Sequence, residues 1–144
     1  TCAAAERLHL SSPGRAVAWD AASAHVAVLA DWDRLGQVFD NLFANSDRLA
    51  PAGTPIEVRV AKEAPGLVTV RVTDHGPGIP PELRERIFER FYRGPAAEGS
   101  PALGTGLGLA IVRGLVEAHA GTIEVEAGGS EGATLRFTLP EAPA

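Results

Sequence analysis

Four polar residues recur at helical spacing in the first half of the chain. Gln37, Asn41, Asn45 and Arg48 follow one another at steps of four, four and three residues. Such steps place side chains on one face of an α-helix. Carboxamides at the border of a buried face need hydrogen-bond partners, and a ligand can supply them. The pattern therefore indicates a candidate ligand-binding stripe, although ordinary solvated asparagine and glutamine side chains would give the same spacing.

An apolar stripe predicts which face of the same helix is buried. Its members recur at the 3.6-residue period over residues 33–49, with Asp31 or Asp33 as the N-cap. The helix must end before Pro51, which cannot continue it. The polar stripe then runs along the edge of the buried face. The apolar positions are Leu35, Val38, Phe39, Leu42 and Leu49.

Asp74 ends a run of alternating valines. Val68, Val70 and Val72 share its parity, so a strand that buries them also points the carboxylate inward. A buried carboxylate needs a donor, and the exocyclic amine of a purine is one candidate. The other reading is that Asp74 caps the turn that follows, which contains Gly76, Gly78 and Ile79.

A glycine-rich segment precedes the last predicted helix. Glycines allow backbone N–H groups to approach an anion, and a helix N-terminus adds positive potential. Neither the phosphate-loop pattern nor the dinucleotide-binding pattern is present, and a flexible hinge would have the same composition. The residues are Gly104, Thr105, Gly106, Leu107 and Gly108.

Two arginines flank an aromatic pair where the second predicted helix ends. Arg93 stands at the start of a Gly/Pro/Ala/Ser loop, from which its side chain could reach a phosphate. A solvated surface arginine is the alternative, and it is the preferred interpretation for Arg90. Phe91 and its aromatic neighbours are expected to pack.

Composition excludes several classes of protein. The formal charge of −5 and the pI of about 5.3 argue against nucleic-acid binding. One cysteine, Cys2, excludes an internal disulfide framework and a cysteine-rich metal site. The longest apolar run is interrupted by glycine and is shorter than the roughly 20 residues of a membrane span. No signal peptide is visible, and the abrupt start at Thr1 suggests a piece of something longer.

The order of elements predicts an α+β two-layer sandwich. Helices are expected over residues 33–49, 81–92 and 106–119. Strands are expected over residues 16–19, 25–30, 56–61, 67–74, 122–127 and 133–139.

Four segments, taken together and in order, resemble the catalytic and ATP-binding domain of bacterial sensor histidine kinases, within the gyrase/Hsp90/histidine-kinase/MutL superfamily. Asp40-Asn-Leu-Phe-Ala-Asn-Ser46 resembles the N box, and Asp74-His-Gly-Pro-Gly-Ile79 the first glycine box. Phe88-Glu-Arg-Phe91 resembles the F box, and Gly104-Thr-Gly-Leu-Gly-Leu-Ala-Ile111 the second glycine box. The resemblance covers about residues 16 to 139. The departures from the family pattern are Leu49, in place of an aromatic residue or histidine, Ser46-Asp47, in place of an alanine-led pair, and Ala120, in place of a common glycine. The lid is also short and rich in alanine, proline and glycine.

The resemblance implies a mixed, mostly antiparallel sheet of about five strands with three main helices on one face. It also implies a single ATP-binding domain over residues 1–144. Within it, residues 1–15 would be an extension, 16–139 the core, 93–104 a lid over the nucleotide and 140–144 a tail.

The same resemblance assigns roles to individual positions. Asp74 would bind the adenine amine, Asn45 would coordinate Mg²⁺, and Asn41 would support that end of the site. Arg48 would contact phosphate, and Arg93 would hold the γ-phosphate. The remaining nucleotide-binding positions would be Gly76, Gly78, Ile79, Phe91, Gly104, Thr105, Gly106, Leu107 and Gly108.

The implied activity is phosphoryl transfer from Mg-ATP to a histidine. Hydrolytic members of the superfamily carry a glutamate where this chain has Asn41, and an amide cannot act as a base. None of His9, His25, His75 or His119 has the His-Glu or His-Asp context of the phosphoacceptor.

The histidine is therefore expected on a dimerisation domain of the same parent, with a response regulator as the indirect partner. The fragment is expected to be a monomer and its parent a homodimer. The domain is expected to lie in the cytoplasmic portion of a membrane-bound sensor. The alternatives are an anti-sigma-type serine kinase of the same fold and a nucleotide-binding module without catalysis.

Overall fold

A computed structural model of the chain describes residues 17–21, 28–51, 53–90, 108–126 and 132–142. These ranges contain two α-helices, α1 (Trp32–Leu49) and α2 (Gly108–Ala118), and 3-10 turns at Pro81–Leu83 and Arg86–Phe88. Their strands are β1 (Val17–Ala21), β2 (Ile56–Ala64), β3 (Leu67–Asp74), β4 (Ile123–Val125) and β5 (Ala133–Pro140).

The five strands form one sheet in the order β1-β2-β3-β5-β4. β1 pairs with β2 in parallel, and the other three pairs are antiparallel. The predicted mixed, mostly antiparallel sheet is therefore confirmed. β3 lies at its centre, between β2 and β5, so residues at the end of β3 lie between two paired strands.

Both helices cover one face of the sheet. On that face Val70 of β3 pairs with Phe137 of β5, and Val72 pairs with Leu135. These four side chains are at most 4% exposed and share one apolar core with side chains from α1 and α2. Apolar residues at every second strand position thus form the layer on which the helices pack.

The buried face of α1 is wider than the predicted stripe. Leu35, Val38, Phe39 and Leu42 are buried as expected. Phe43, which lies four residues after Phe39, is also buried, and the two rings lie 5.6 Å apart between centroids. Spacing alone could have identified Phe43, because i, i+4 positions share a helix face. The side chain of Leu49 lies outside the described part.

The prediction of a regular helix over residues 81–92 is wrong for the described residues of this segment. The described part of this segment makes two 3-10 turns, with hydrogen bonds from Leu83 N to Pro80 O (2.9 Å) and from Glu89 N to Arg86 O (3.0 Å). A short helix depends on packing of its apolar face. Only Phe88 among the described residues of this segment is fully buried, and Ile87 is partly buried against the core, so little apolar surface is available to stabilise a helix here. Tyr92 lies outside the described residues.

The C-terminus of α2 is a Schellman motif, in which Gly121 is not the left-handed residue. Gly121 N donates to Val116 O (2.9 Å), and Ala120 N donates to Glu117 O (3.0 Å). The left-handed residue is Ala120, with φ of 60°. Gly121 is required for a different reason: a Cβ atom there would lie 1.9 Å from Thr138 O of β5.

His119 joins the end of α2 to the start of α1. Its Nε2 accepts a hydrogen bond from Asp31 N at 3.1 Å, and its Nδ1 lies 2.7 Å from Leu115 O. A backbone N–H can only donate, so the ring is the neutral Nδ1–H tautomer. Asp31 itself caps α1 by accepting from Asp33 N and Arg34 N.

The opposite face of the sheet carries ion pairs. Arg71 on β3 donates to Glu63 on β2 and, at 2.6 Å, to Glu126. The hydrogen bond from Arg71 lowers the pKa of the Glu63 carboxyl below its ordinary value, and that bond together with the one to Glu126 raises the pKa of Arg71. Arg136 pairs with Glu124 at 3.0 Å on the same face.

The remaining strand predictions hold in part. The strands β1, β2 and β3 agree with the predicted strands apart from their ends. Of the strand predicted over residues 122–127, the described part contains the shorter strand β4. Of the strand expected over residues 25–30, only Val28 forms a bridge, with Glu141, and residues 25–27 lie outside the described part.

Candidate functional site

Asp74 is the last residue of β3 and is only 4% exposed. It has the same parity as Val70 and Val72, so its carboxylate lies on the helix-covered face of the sheet. Oδ1 accepts a hydrogen bond from Gly76 N at 2.8 Å. Among the described residues no donor reaches the second oxygen, Oδ2. Within the described ranges, Asp74 therefore caps its turn with one oxygen, and its other oxygen accepts no hydrogen bond.

The turn after Asp74 lies against a second backbone segment, at Gly132. Gly78 has a φ of 81°, and a Cβ atom there would lie 3.0 Å from Gly132 O. Gly132 also has a φ of 81°, and a Cβ atom on it would lie 1.9 Å from Asp74 O. Both conformations are in the left-handed region that favours glycine. Beside the carboxylate the two backbone segments thus approach closely at two glycines, where any side chain would obstruct the approach.

Asn41 and Gly108 bring the polar stripe of α1 to the start of α2. Asn41 Nδ2 donates to Gln37 O at 2.9 Å, one turn earlier on the helix. Its Oδ1 faces the other way, and a Cβ atom on Gly108 would lie 3.3 Å from it. Two segments that the sequence singled out independently, the amide stripe and the glycine-rich helix start, are therefore in contact.

Asn45 and Arg48 lie one turn further along α1. Asn45 is half-buried, and its Oδ1 accepts a hydrogen bond from an Arg48 guanidinium nitrogen at 3.2 Å. Arg48 is exposed. The amide oxygen is thus within reach of solvent and already attracts a cationic group.

Ile79 is half-buried beside Gly78, in the turn that follows Asp74. The remaining predicted positions lie outside the described residues. They are Phe91, Arg93, Gly104, Thr105, Gly106 and Leu107.

Gly132 is the contributor to the site that sequence reasoning missed. The run Gly128–Gly132 reads as a simple hairpin turn, and nothing in it marks the last glycine as the one that meets Asp74. Ser46, the departure from the resembled family's alanine, is 1% exposed within α1. Its small size is consistent with the alanine it replaces.

A family model described as histidine kinase-, DNA gyrase B-, and HSP90-like ATPase matches residues 30–143. The chain belongs to this family. The match includes every described candidate residue, and the fold agrees with the expected α+β two-layer sandwich.

Relatives of known sequence are sensor kinases. The chain is 39% identical over 111 residues to the sensor histidine kinase WalK of Bacillus subtilis, covering 76% of this chain and 18% of WalK. It is 42% identical over 117 residues to the probable sensor histidine kinase TcrY of Mycobacterium tuberculosis, covering 81% of this chain and 24% of TcrY. The chain therefore spans about a fifth to a quarter of these relatives.

Solved structures of sensor histidine kinases have a similar fold. The mycobacterial sensor histidine kinase MprB superposes with a TM-score of 0.87 at 32% identity, covering 99% of this chain and 94% of that one. Full-length ShkA in complex with AMPPNP superposes with a TM-score of 0.79 at 32% identity, covering 99% of this chain and 30% of ShkA.

Neither helix in the described ranges is long and apolar enough to cross a membrane. Within the same ranges, no three His, Cys, Asp or Glu side chains group together to form a metal site.

Proposed function

We propose that this chain is the ATP-binding kinase domain of a sensor histidine kinase, which binds Mg-ATP and transfers the γ-phosphate to a histidine on a dimerisation domain. The contact between Asn41 and Gly108 is the main support, because it joins the two segments that would meet the phosphates. The family match and the AMPPNP complex of the structural relative ShkA also support a nucleotide site.

Asp74 would bind the adenine end. A buried carboxylate oxygen that accepts a hydrogen bond from an exocyclic amine gives a charge-assisted bond of roughly 1.5–3 kcal/mol. The turn residues Gly76, Gly78 and Ile79 would border the base, because they follow Asp74 directly and no side chain on either glycine obstructs the approach. Phe91 would complete this part of the site.

Asn45 would supply an oxygen to Mg²⁺. This ion prefers hard oxygen ligands and typically takes one or two from the protein, with the rest from phosphates and water. Asn45 Oδ1 fits this chemistry, because it is half-buried and already accepts from Arg48. When bound, the ion would neutralise charge on the phosphates, and Arg48 would turn from Asn45 toward a phosphate oxygen.

Asn41 favours transfer over hydrolysis. Its Nδ2 is engaged with Gln37 O, so the group facing Gly108 is the amide oxygen, which cannot take a proton from water. Phosphoryl transfer depends mainly on positioning and charge stabilisation. Arg93 and the backbone of Gly104, Thr105, Gly106, Leu107 and Gly108 would supply both around the γ-phosphate.

The partners of the whole protein follow from this assignment. The phosphoacceptor histidine would lie on a dimerisation domain of the same parent, which would be a homodimer signalling to a response regulator. The domain would function in the cytoplasm.

Phosphate transfer tests the proposal directly. The chain is incubated with Mg²⁺, radiolabelled ATP and a two-helix histidine domain taken from one of the matched kinases. Acid-labile, base-stable label on that domain supports a histidine kinase. Label on a serine of a partner protein would favour the anti-sigma-type kinase, and Mg-ATP binding without any transfer would favour a binding module.

A further inference from the structure

His119, at the end of α2, completes the N-cap of α1 from another helix. The N-cap residue, Asp31, accepts from Asp33 N and Arg34 N through its carboxylate. In a complete capping box, a glutamate or glutamine at the third helical position accepts in turn from the backbone N–H of the N-cap. That position is Arg34, whose side chain has no acceptor. Nε2 of His119 takes this role instead, at 3.1 Å from Asp31 N.

The same ring also binds the last turn of its own helix. Its Nδ1 lies 2.7 Å from Leu115 O of α2. Because Asp31 N can only donate, Nε2 is the nitrogen without a proton, and Nδ1 donates to the carbonyl. Only the neutral ring can therefore join both helices. His119 is half-buried, so solvent protons can reach it.

A proton on Nε2 would break the contact with α1 and keep the contact with α2. The charged ring has a donor at each nitrogen, so Nε2 would face Asp31 N donor to donor, while Nδ1 could still donate to Leu115 O. Helix polarity acts in the same direction, because the N-terminus of α1 repels a cation and the C-terminus of α2 attracts one. Protonation would therefore detach the ring from the start of α1.

Charged side chains adjoin His119 on each helix. The carboxylate of Asp31 is engaged with N–H groups of the first turn of α1, and Glu117 is exposed and paired with an arginine of α2. Strand β5 packs beside the ring through Leu139, and Glu141 beyond it pairs with Lys62 at 3.0 Å. These carboxylates would stabilise a charged ring, but none can restore an acceptor at Nε2. The other described residues around the small cavity beside the ring are apolar: Ala30, Leu35, Val38, Leu115 and Val116.

We propose that His119 makes the junction between α1 and α2 acid-sensitive: the neutral ring completes the N-cap of α1, and the protonated ring releases it. The inference depends on the fold and not on the proposed nucleotide site. The plain alternative is that water replaces the ring on Asp31 N without loss, because this contact lies at the surface. In that case proton uptake would leave the first turn of α1 unchanged.

Nuclear magnetic resonance of the wild-type chain tests both states. At about pH 8 the nitrogen chemical shifts of His119 should show a proton on Nδ1 and none on Nε2. Hydrogen exchange then gives the protection factor of Asp31 N–H from about pH 8 to about pH 5.5, where histidines ordinarily take up a proton and carboxylates do not. Protection should fall about two- to tenfold over this range, the size expected for one net hydrogen bond.

Three variants assign the effect to this ring. His119→Gln offers an amide oxygen as acceptor and does not titrate, so its protection at Asp31 N–H should not depend on pH. His119→Leu has no acceptor and should show the low protection of the acidified wild type throughout. His75→Gln removes a histidine outside the junction and should retain the wild-type fall. A proton on Nε2 at pH 8, a pH-independent protection in the wild type, or an equal fall in His119→Gln would overturn the inference. The first two results need no variant to fold.

Discussion

Asn41 on α1 and Gly108 at the start of α2 lie so close that a Cβ atom on Gly108 would be 3.3 Å from Asn41 Oδ1. This contact brings two polar segments, far apart in the sequence, to one edge of the helical layer. Asp74, buried on the helix-covered face of the same sheet, supplies a carboxylate. In the proposed function, these three residues contribute to one nucleotide site.

Asn45→Ala should eliminate the tightening of ATP binding by Mg²⁺. The substitution removes the half-buried amide oxygen but keeps a good helix former on α1. Calorimetric titrations with ATP, with and without Mg²⁺, measure the difference. Gln37→Ala, two turns earlier on the same stripe, is the matched control and should retain the Mg²⁺ effect. Retention of that effect in Asn45→Ala would place the metal elsewhere.

Gly132→Ala should destabilise the chain by about 3 kcal/mol or more and weaken ATP binding. A Cβ atom would lie 1.9 Å from Asp74 O, so the backbone beside the carboxylate must move. Gly53→Ala is the control, because Gly53 also has positive φ but a Cβ atom there meets nothing within 4 Å. It should cost only the roughly 1–2 kcal/mol of the left-handed conformation. Urea unfolding of both variants makes the comparison, and equal losses would contradict the close approach.

Ala120→Gly should stabilise the chain by about 1 kcal/mol. Ala120 has a φ of 60°, where a Cβ atom costs roughly 1–2 kcal/mol, partly offset by the greater freedom of glycine in the unfolded chain. Ala118→Gly, two residues earlier in α2, should instead destabilise by about 0.5–1 kcal/mol. The midpoints of urea unfolding give both signs. A loss of stability in both variants would show that residue 120 is not left-handed.

The ion pair between Arg71 and Glu63 predicts a pH dependence. Its hydrogen bond lowers the pKa of Glu63 from the ordinary 4.5, so its contribution to stability is present above that value and is lost as pH falls through the lowered pKa. The stability difference between the wild type and Glu63→Gln should therefore shrink on acidification below about pH 4.5. Unfolding curves over a pH series measure it, and a constant difference would exclude the pair.

Sequence patterns predicted the faces of the regular strands and helices. The alternation of Val68, Val70 and Val72 placed Asp74 on the buried face, and the 3.6-residue period placed Asn41 and Asn45 at the edge of the core. These predictions succeed because parity and period are fixed by strand and helix geometry. The positions of Phe91, Arg93 and the residues 104–107 remain predictions.

Patterns failed where contacts between distant segments decide the structure. The segment after Pro81 has an apolar spacing that suits a helix, yet its described part forms 3-10 turns in which Phe88 is the only fully buried residue. The need for glycine at residue 132 depends on Asp74 O, and at residue 121 on Thr138 O. No local signal encodes either approach, because the partner lies on another strand.

The calorimetric titration of Mg-ATP into Asp74→Asn tests the central claim most directly. The amide oxygen can still accept from Gly76 N, so circular dichroism should stay native, while the negative acceptor for the adenine amine is lost. The affinity should fall by about tenfold to more than a hundredfold relative to the wild type, as expected for a charge-assisted hydrogen bond. Asp33→Asn, on the exposed first turn of α1, should bind as the wild type does. Unchanged affinity in a natively folded Asp74→Asn would contradict the account.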